Sequence, residues 1–185
     1  MDILEQVKND KKIKDFFYRF CDFDPYDDYM QTLDLNGEMK FNMNNKAFGM
    51  AGDGTEFVLL EDGTVAMSGS EGDVGRIAES MEEFLALLLN FPCFWDFMCY
   101  RVYLDENKDK FRLKLSDAMS EMSEDNEFEI LRFETAEKLG ISIDTDVVSN
   151  TAIRFFNTVT RQPRFGYYFE DAFYDELFSD YCFWC

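Results

Sequence analysis

Residues 48 to 91 constrain the fold of this chain more than any other stretch, because their turn signals and apolar runs leave few ways to pair. Gly49, Gly52 and Gly54 interrupt the start of the stretch. Thr55 to Leu60 is a strand-length apolar run, too apolar for simple inside-outside alternation, which predicts a central strand. Asp62-Gly63 follows, a dipeptide suited to a two-residue type I′ turn in which both residues take positive φ. Thr64 to Ser68 then returns as the partner strand. Gly69 and Gly72 bracket a second turn, and Asp73 to Ala78 predicts a third strand. Ser80 and Glu83 stand at capping-box spacing, where hydroxyl and carboxylate each satisfy an orphan amide at a helix start. Met81, Phe84, Leu85 and Leu88 form one stripe of that helix, widened by Leu87 and Leu89. It stops at Asn90, with Pro92 just beyond.

The flanking segments are read from the same signals. Met1 to Phe20 predicts a helix with Asp2 as N-cap, Glu5 at the capping-box position, and Ile13, Phe16, Phe17 and Phe20 facing inward. Asp22 to Asp28, with Pro25, reads as a loop, and Tyr29 to Asn36 and Glu38 to Asn44 as strands around an Asn36-Gly37 turn. Phe91 to Tyr103 predicts a buried segment, Leu104 to Ser120 a solvated connection with some helix, and Glu121 to Asp125 an acidic loop. A helix from about Asn126 to Leu139 ends on Gly140. After a loop from Asp144 to Val148, Ser149 caps a helix carrying Ile153, Phe156 and Val159, which Gln162-Pro163 stops. Phe165 to Phe183 is aromatic and acidic, and Phe173, Glu176 and Leu177 predict a short closing helix. The expected fold is a single α+β domain over residues 1–185, one curved antiparallel sheet of about five or six strands with N-terminal, middle and C-terminal helices.

Composition bounds the function. A chain of 185 residues with 46% hydrophobic content and 21 Phe has ample core material for one domain. Its 38 acidic and 18 basic residues leave a formal charge of −20. Such a surface repels a nucleic acid duplex or an anionic bilayer and attracts basic proteins, although taken alone the acidity reads first as an aid to solubility. The charged residues from Met1 to Lys14 do not read as a signal peptide, and Asn90, Pro92 and Asp96 interrupt the apolar run around Phe84 to Phe97. Five cysteines, an odd number, suit reduced thiols and a cytoplasmic location.

Chemistry-bearing patterns are sparse. With no histidine, Ser/His/Asp and Cys/His nucleophile systems and the usual neutral-pH general base are excluded. Glu82 and Glu83 read as one exposed and one capping residue before they read as a catalytic pair. Gly49, Gly52 and Gly54 lead into a strand, whereas a phosphate loop needs Gly-Lys-Ser/Thr leading into a helix, so they read as turn residues with positive φ. Asp105 to Asp109 imitates the start of a calcium loop, but Lys110 and Ser116 replace its required Gly and Glu. Cys182 and Cys185 have CxxC spacing, yet the pair neither follows a strand nor finds two further ligands nearby, so a buried aromatic tail is the preferred reading. The expectation is a non-enzyme with neither metal nor cofactor.

The order of a Gly-rich start, a hairpin, and a strand leading into a capped helix resembles the SUKH superfamily. This superfamily gathers a yeast cell-wall-synthesis regulator and many bacterial immunity proteins. The residues that carry the resemblance are Phe48-Gly49, Gly52 to Gly54, Phe57 to Leu60, Asp62 to Val65, Arg76 to Ala78 and Ser80 to Leu89. The Leu-Pro helix ending in Asn-Gly that opens typical members has no counterpart in residues 1–30. The resemblance implies a protein-binding role, most often neutralising a polymorphic bacterial toxin by occlusion. Many such toxins are basic nucleases, onto which an acidic inhibitor is steered. A regulatory adaptor without a toxin partner is the alternative, and a carboxylate- and metal-dependent enzyme a more distant one. The candidate partner-binding residues are Glu61, Asp62, Glu71 and Asp73, carboxylates on the two turns of the central hairpin system. The acidic aromatic segment around Glu170, Asp171 and Asp175 comes next.

Overall fold

The computed structural model describes residues 2–32, 39–69, 72–123 and 127–182. In chain order these form α1 (Ile3–Asn9), α2 (Lys11–Phe20), β1 (Asp24–Met30), β2 (Lys40–Phe41), β3 (Asn45–Met50), β4 (Glu56–Leu60), β5 (Val65–Ser68), β6 (Val74–Ala78), α3 (Met81–Asn90), α4 (Lys108–Met122), α5 (Glu127–Leu139), α6 (Thr151–Thr160), β7 (Tyr167–Phe169) and β8 (Ala172–Tyr174). Three short 3₁₀ turns bridge α3 to α4. The fold is α+β, with a five-stranded antiparallel sheet in the order β1-β3-β4-β5-β6 and a three-stranded sheet in the order β2-β7-β8.

The apolar run of β4 has a plain cause in this architecture. It is the middle strand, and both of its faces are covered. Phe57 points into the larger core with Phe48, Val65, Met67 and Ile77, under the helices. Val58 and Leu60 point the other way, with Ala47, Ala66 and Val74, onto Tyr167 of the smaller sheet and Phe165 just before it. The molecule is therefore layered as helices, large sheet, small sheet. The single sheet expected above would have left the face away from its helices open; here the smaller sheet occupies that face. In the larger core Phe84 of α3 meets the rings of Phe57, Phe23 and Phe48 at 5.0, 5.2 and 5.5 Å between centroids. Half of the expected capping box forms: Glu83 N donates to Ser80 Oγ at 3.2 Å, whereas the Glu83 carboxylate accepts at 3.2 Å from Glu79 N, one residue before the cap, and not from Ser80 N.

Several expectations are corrected. The N-terminal helix is broken at Asp10, whose extended backbone ends α1 and whose carboxylate accepts from Lys12 N and Ile13 N to cap α2. Asp2 caps α1 as expected, but Glu5 pairs with Lys8 at 2.9 Å instead of closing a capping box. Asp24 to Asp28 is strand, not loop. As the sheet edge β1 tolerates Pro25, which has no amide to donate, and it packs close over Gly49, where an added Cβ would lie 2.5 Å from the Phe23 ring. Of Gly49, Gly52 and Gly54, only Gly54 has positive φ.

Asn36-Gly37 lies outside the described residues. The expected partner strand after it shrinks to β2, which pairs with β7 rather than with β1. Lys108 to Met122 is one helix, held by buried Phe111 and Leu115, where a largely solvated connection was expected. Ser149 does not cap α6; the Asp144 carboxylate does, accepting from Thr151 N at 3.1 Å and Thr151 Oγ1 at 2.8 Å. The buried face of α6 carries Ala152, Phe155, Thr158 and Val159, with Ile153 and Phe156 only partly covered. The closing helix is replaced by the β7–β8 hairpin, because aromatic residues alternating across two short strands pair better than they pack along a helix.

Candidate functional site

The two acidic turns do not form one cluster. They lie at opposite ends of β5, on the order of 15 Å apart along the strand, as successive turns of an antiparallel meander must. The first is not a type I′ turn. Leu60 N donates to Thr64 O and Gly63 N to Leu60 O, and only Gly63 has positive φ, +84°. This is a three-residue loop, Glu61 to Gly63, with glycine in the left-handed position. The Asp62 side chain dictates the difference: Oδ1 accepts from Thr64 N at 3.1 Å and from Thr64 Oγ1 at 2.6 Å, and Oδ2 from Arg76 Nη2 at 2.8 Å. Glu61 accepts from Asn44 Nδ2 at 2.8 Å.

Asp62 thus belongs to a network built on Arg76, whose side chain is 2% exposed. Arg76 also donates to Thr64 Oγ1 at 3.1 Å and to the carbonyl of Pro163. Arg161 lies 3.6 Å from Asp62 and pairs with Glu79, which accepts from Thr158 Oγ1 at 3.0 Å. Burial works to raise the Asp62 carboxyl, but the bonds from Thr64 and Arg76 outweigh it and hold its pKa at about 2. The network ties the first turn to β6, to α6 and to the loop after it. Its cation already satisfies Asp62, so Asp62 is a structural residue.

The second turn leads elsewhere. Glu71 lies outside the described residues. Asp73 is exposed and lines a cleft of about 380 Å³ together with Gly72, Tyr167, Phe173, Tyr174, Asp175 and Glu176. Asp73 and Asp175, read from separate parts of the sequence, meet here. Cross-strand pairing builds the aromatic wall: Tyr167 lies opposite Tyr174 and Tyr168 opposite Phe173, with ring centroids 5.2 and 4.8 Å apart. Tyr167 is buried, and its hydroxyl lies 3.5 Å from the carbonyl of Gly72. Phe173 and Tyr174 are 40% and 44% exposed. The segment after β8 runs beside β6, where Val74 N donates to Glu176 O and buried Leu177 packs over Gly75. Burial first, then Tyr174 and Asp73, raise the Tyr167 phenol. Glu170 and Asp171 form the exposed tip of the hairpin.

No protein-family model, curated protein or solved structure matches the chain. The site is read from its own chemistry.

That chemistry suits cations and aromatic packing. Among the described residues no group of three Cys, Asp or Glu is placed to hold a metal ion. Cys21, Cys93 and Cys99 are free thiols; burial raises Cys21 well above the usual range and Cys93 to about 12, so neither is a ready nucleophile. Cys182 is disulfide-bonded, unlike the reduced thiol expected, and packs partly buried against the larger core; the rest of the expected buried tail, residues 183–185, lies outside the described residues. No helix among the described residues is long and apolar enough to cross a membrane. Three buried charges among the described residues escaped the sequence reading, one of them Arg132, 6% exposed, which donates to the Leu89 carbonyl at 2.7 Å. Arg76 interrupts an otherwise apolar strand, which was its signal. Glu56, read as part of an apolar run, is 3% exposed and accepts from Tyr26 Oη at 3.2 Å; burial, then the Glu56 charge, push that phenol up to about 12.

Proposed function

We propose that this chain is a non-catalytic protein-binding domain of the cytoplasm that neutralises a basic toxin domain by covering it, the neutralising role being what its resemblance to SUKH immunity proteins implies. The observation that carries the reading is the side-by-side placement of exposed rings and carboxylates at the β7–β8 hairpin and Asp73. Aromatic anchors beside charge of one sign are what a protein interface needs: rings supply contact area at low entropic cost, and charge speeds encounter. Short connections anchored in two sheets reduce the ordering cost of binding. The formal charge of −20 supports a basic partner over an acidic one.

The test is affinity capture with mass spectrometry, followed by kinetics with the purified partner at two ionic strengths. A basic partner whose toxic activity is blocked in a stoichiometric complex, with association slowing as salt rises, is the expected result. An acidic partner bound at a salt-independent rate would overturn the reading, and a basic partner without toxic activity would make the domain a regulatory adaptor.

A further inference from the structure

We propose that the cleft between the β5–β6 turn and the β7–β8 hairpin seats an arginine or lysine side chain of the basic partner, its head over the Tyr174 ring and among Asp73, Asp175 and Glu176. This rests on the reading of the chain as a binder of basic proteins, and names where and how that binding is anchored.

The lining combines the two elements of cation recognition. Of its seven residues three are carboxylates and three are aromatic, and none is basic. Asp175 meets Arg164 at 3.8 Å, beyond hydrogen-bond distance, and neither Asp175 nor Glu176 accepts a side-chain hydrogen bond from the described residues. Glu176 is exposed and turns its acceptor capacity to solvent, while the Asp175 side chain, beside Arg164, is 27% exposed. This contrasts with Asp62, whose oxygens are taken up by Thr64 and Arg76. Tyr174 is stacked on Tyr167 at an interplanar angle of 14°, which fixes its ring while leaving it 44% exposed. A guanidinium or ammonium over such a ring gains from the ring quadrupole as well as from nearby carboxylates, and the planar guanidinium gains more. A volume of about 380 Å³ accepts one long side chain. Exposed Phe173 lines it, with the exposed Tyr168 ring packed on the Phe173 ring at 4.8 Å, and offers the main chain around that side chain an apolar rest. This is why the occupant is a protein segment and not a free polyamine.

Fluorescence anisotropy on the full chain tests this. The probe is a labelled twelve-residue Gly/Ser peptide with three arginines, beside the same peptide with citrulline, which keeps shape and removes charge. Tyr174→Leu and the pair Asp73→Asn/Glu176→Gln should each weaken the arginine peptide by about fivefold or more. The pair Asp117→Asn/Glu121→Gln, which removes the same charge from the exposed face of α4, should change it less than twofold. Circular dichroism melts confirm that each variant is folded, and the carboxylate pair, wholly on the surface, keeps the test decisive if Tyr174→Leu loosens the hairpin. Equal weakening by the α4 pair, or equal binding of the citrulline peptide, would overturn the cleft and leave the basic-partner reading standing. Cleft-dependent peptide binding in a chain that captures no basic protein would support the cleft and sink that reading. Spermine displacing the peptide at far lower concentration than an unlabelled copy would overturn the protein occupant.

Discussion

Arg76 and Asp62 show what a charged pair does when only one partner is buried. The guanidinium is 2% exposed and the carboxylate 40%, so removing the acid strands a buried cation, whereas the acid itself retains water. Asp62→Ala should cost about 2–3 kcal/mol, below the range for fully buried pairs, because Pro163 and Thr64 still accept from Arg76. Asp62→Asn keeps an oxygen for the Thr64 amide and should cost about 1 kcal/mol. Urea unfolding near neutral pH measures both, and a wild-type-like Asp62→Ala would remove the network from the account. The pH dependence has a definite sign. The folded pKa, about 2, lies below the ordinary 3.8, so this stability is present above pH 3.8 and is lost as pH falls toward 2. Between those values Asp62→Asn should lose less stability than wild type, while Asp144 and Asp10, also lowered, keep contributing in both.

Among the elements, α3 is the one whose local and tertiary determinants separate most cleanly. Ser80→Ala removes one cap and should cost about 1 kcal/mol. Phe84→Ala empties a fully buried site among three other rings and should cost about 3–5 kcal/mol. Denaturant unfolding ranks the two, and a Phe84→Ala cost below that of Ser80→Ala would place this face of the helix in water. At the end of α5, Ile141 N donates to Ala136 O and Gly140 N to Glu137 O, with Gly140 at φ +69°. Nothing lies within 4 Å of a Cβ added there, so Gly140→Ala should cost about 1–2 kcal/mol from backbone strain alone. Among the described strands β1 pairs on one side only, and it carries Pro25, a register irregularity and exposed Asp27 and Asp28, features that oppose pairing with another sheet.

For the whole molecule the dominant quantity is charge. At −20 the compact state repels itself, and salt screens that repulsion. Raising sodium chloride from low to physiological concentration should therefore increase the melting temperature, although it weakens the ion pairs of Arg19 with Glu127 and Lys138 with Asp10. A melting temperature that falls with salt would mean that pairing outweighs net repulsion. A strong chelator should leave the melt unchanged, and a loss of several degrees would reveal a structural metal.

What the sequence by itself determined is what short-range physics controls. The central hairpin, the third strand, the capped α3, the glycine end of α5 and the arrest of α6 before Pro163 all rest on residues within a few positions of one another. Tertiary structure decided the rest. Asp10 as a helix break, β1 as a strand and Asp144 as a distant cap depend on which partner is near in space, which no local pattern encodes. The smaller sheet joins Lys40–Phe41 to strands more than a hundred residues later, and so covers the face that a local reading leaves open. The acidic residues were legible as residues but not as a site. Only the fold sends Glu61 and Asp62 to the other end of β5, satisfies Asp62 with Arg76, and brings Asp73 to Tyr174 and Asp175. Charge is carried by the chain, but whether a carboxylate is spent on its own protein or left for another is settled by what packs beside it.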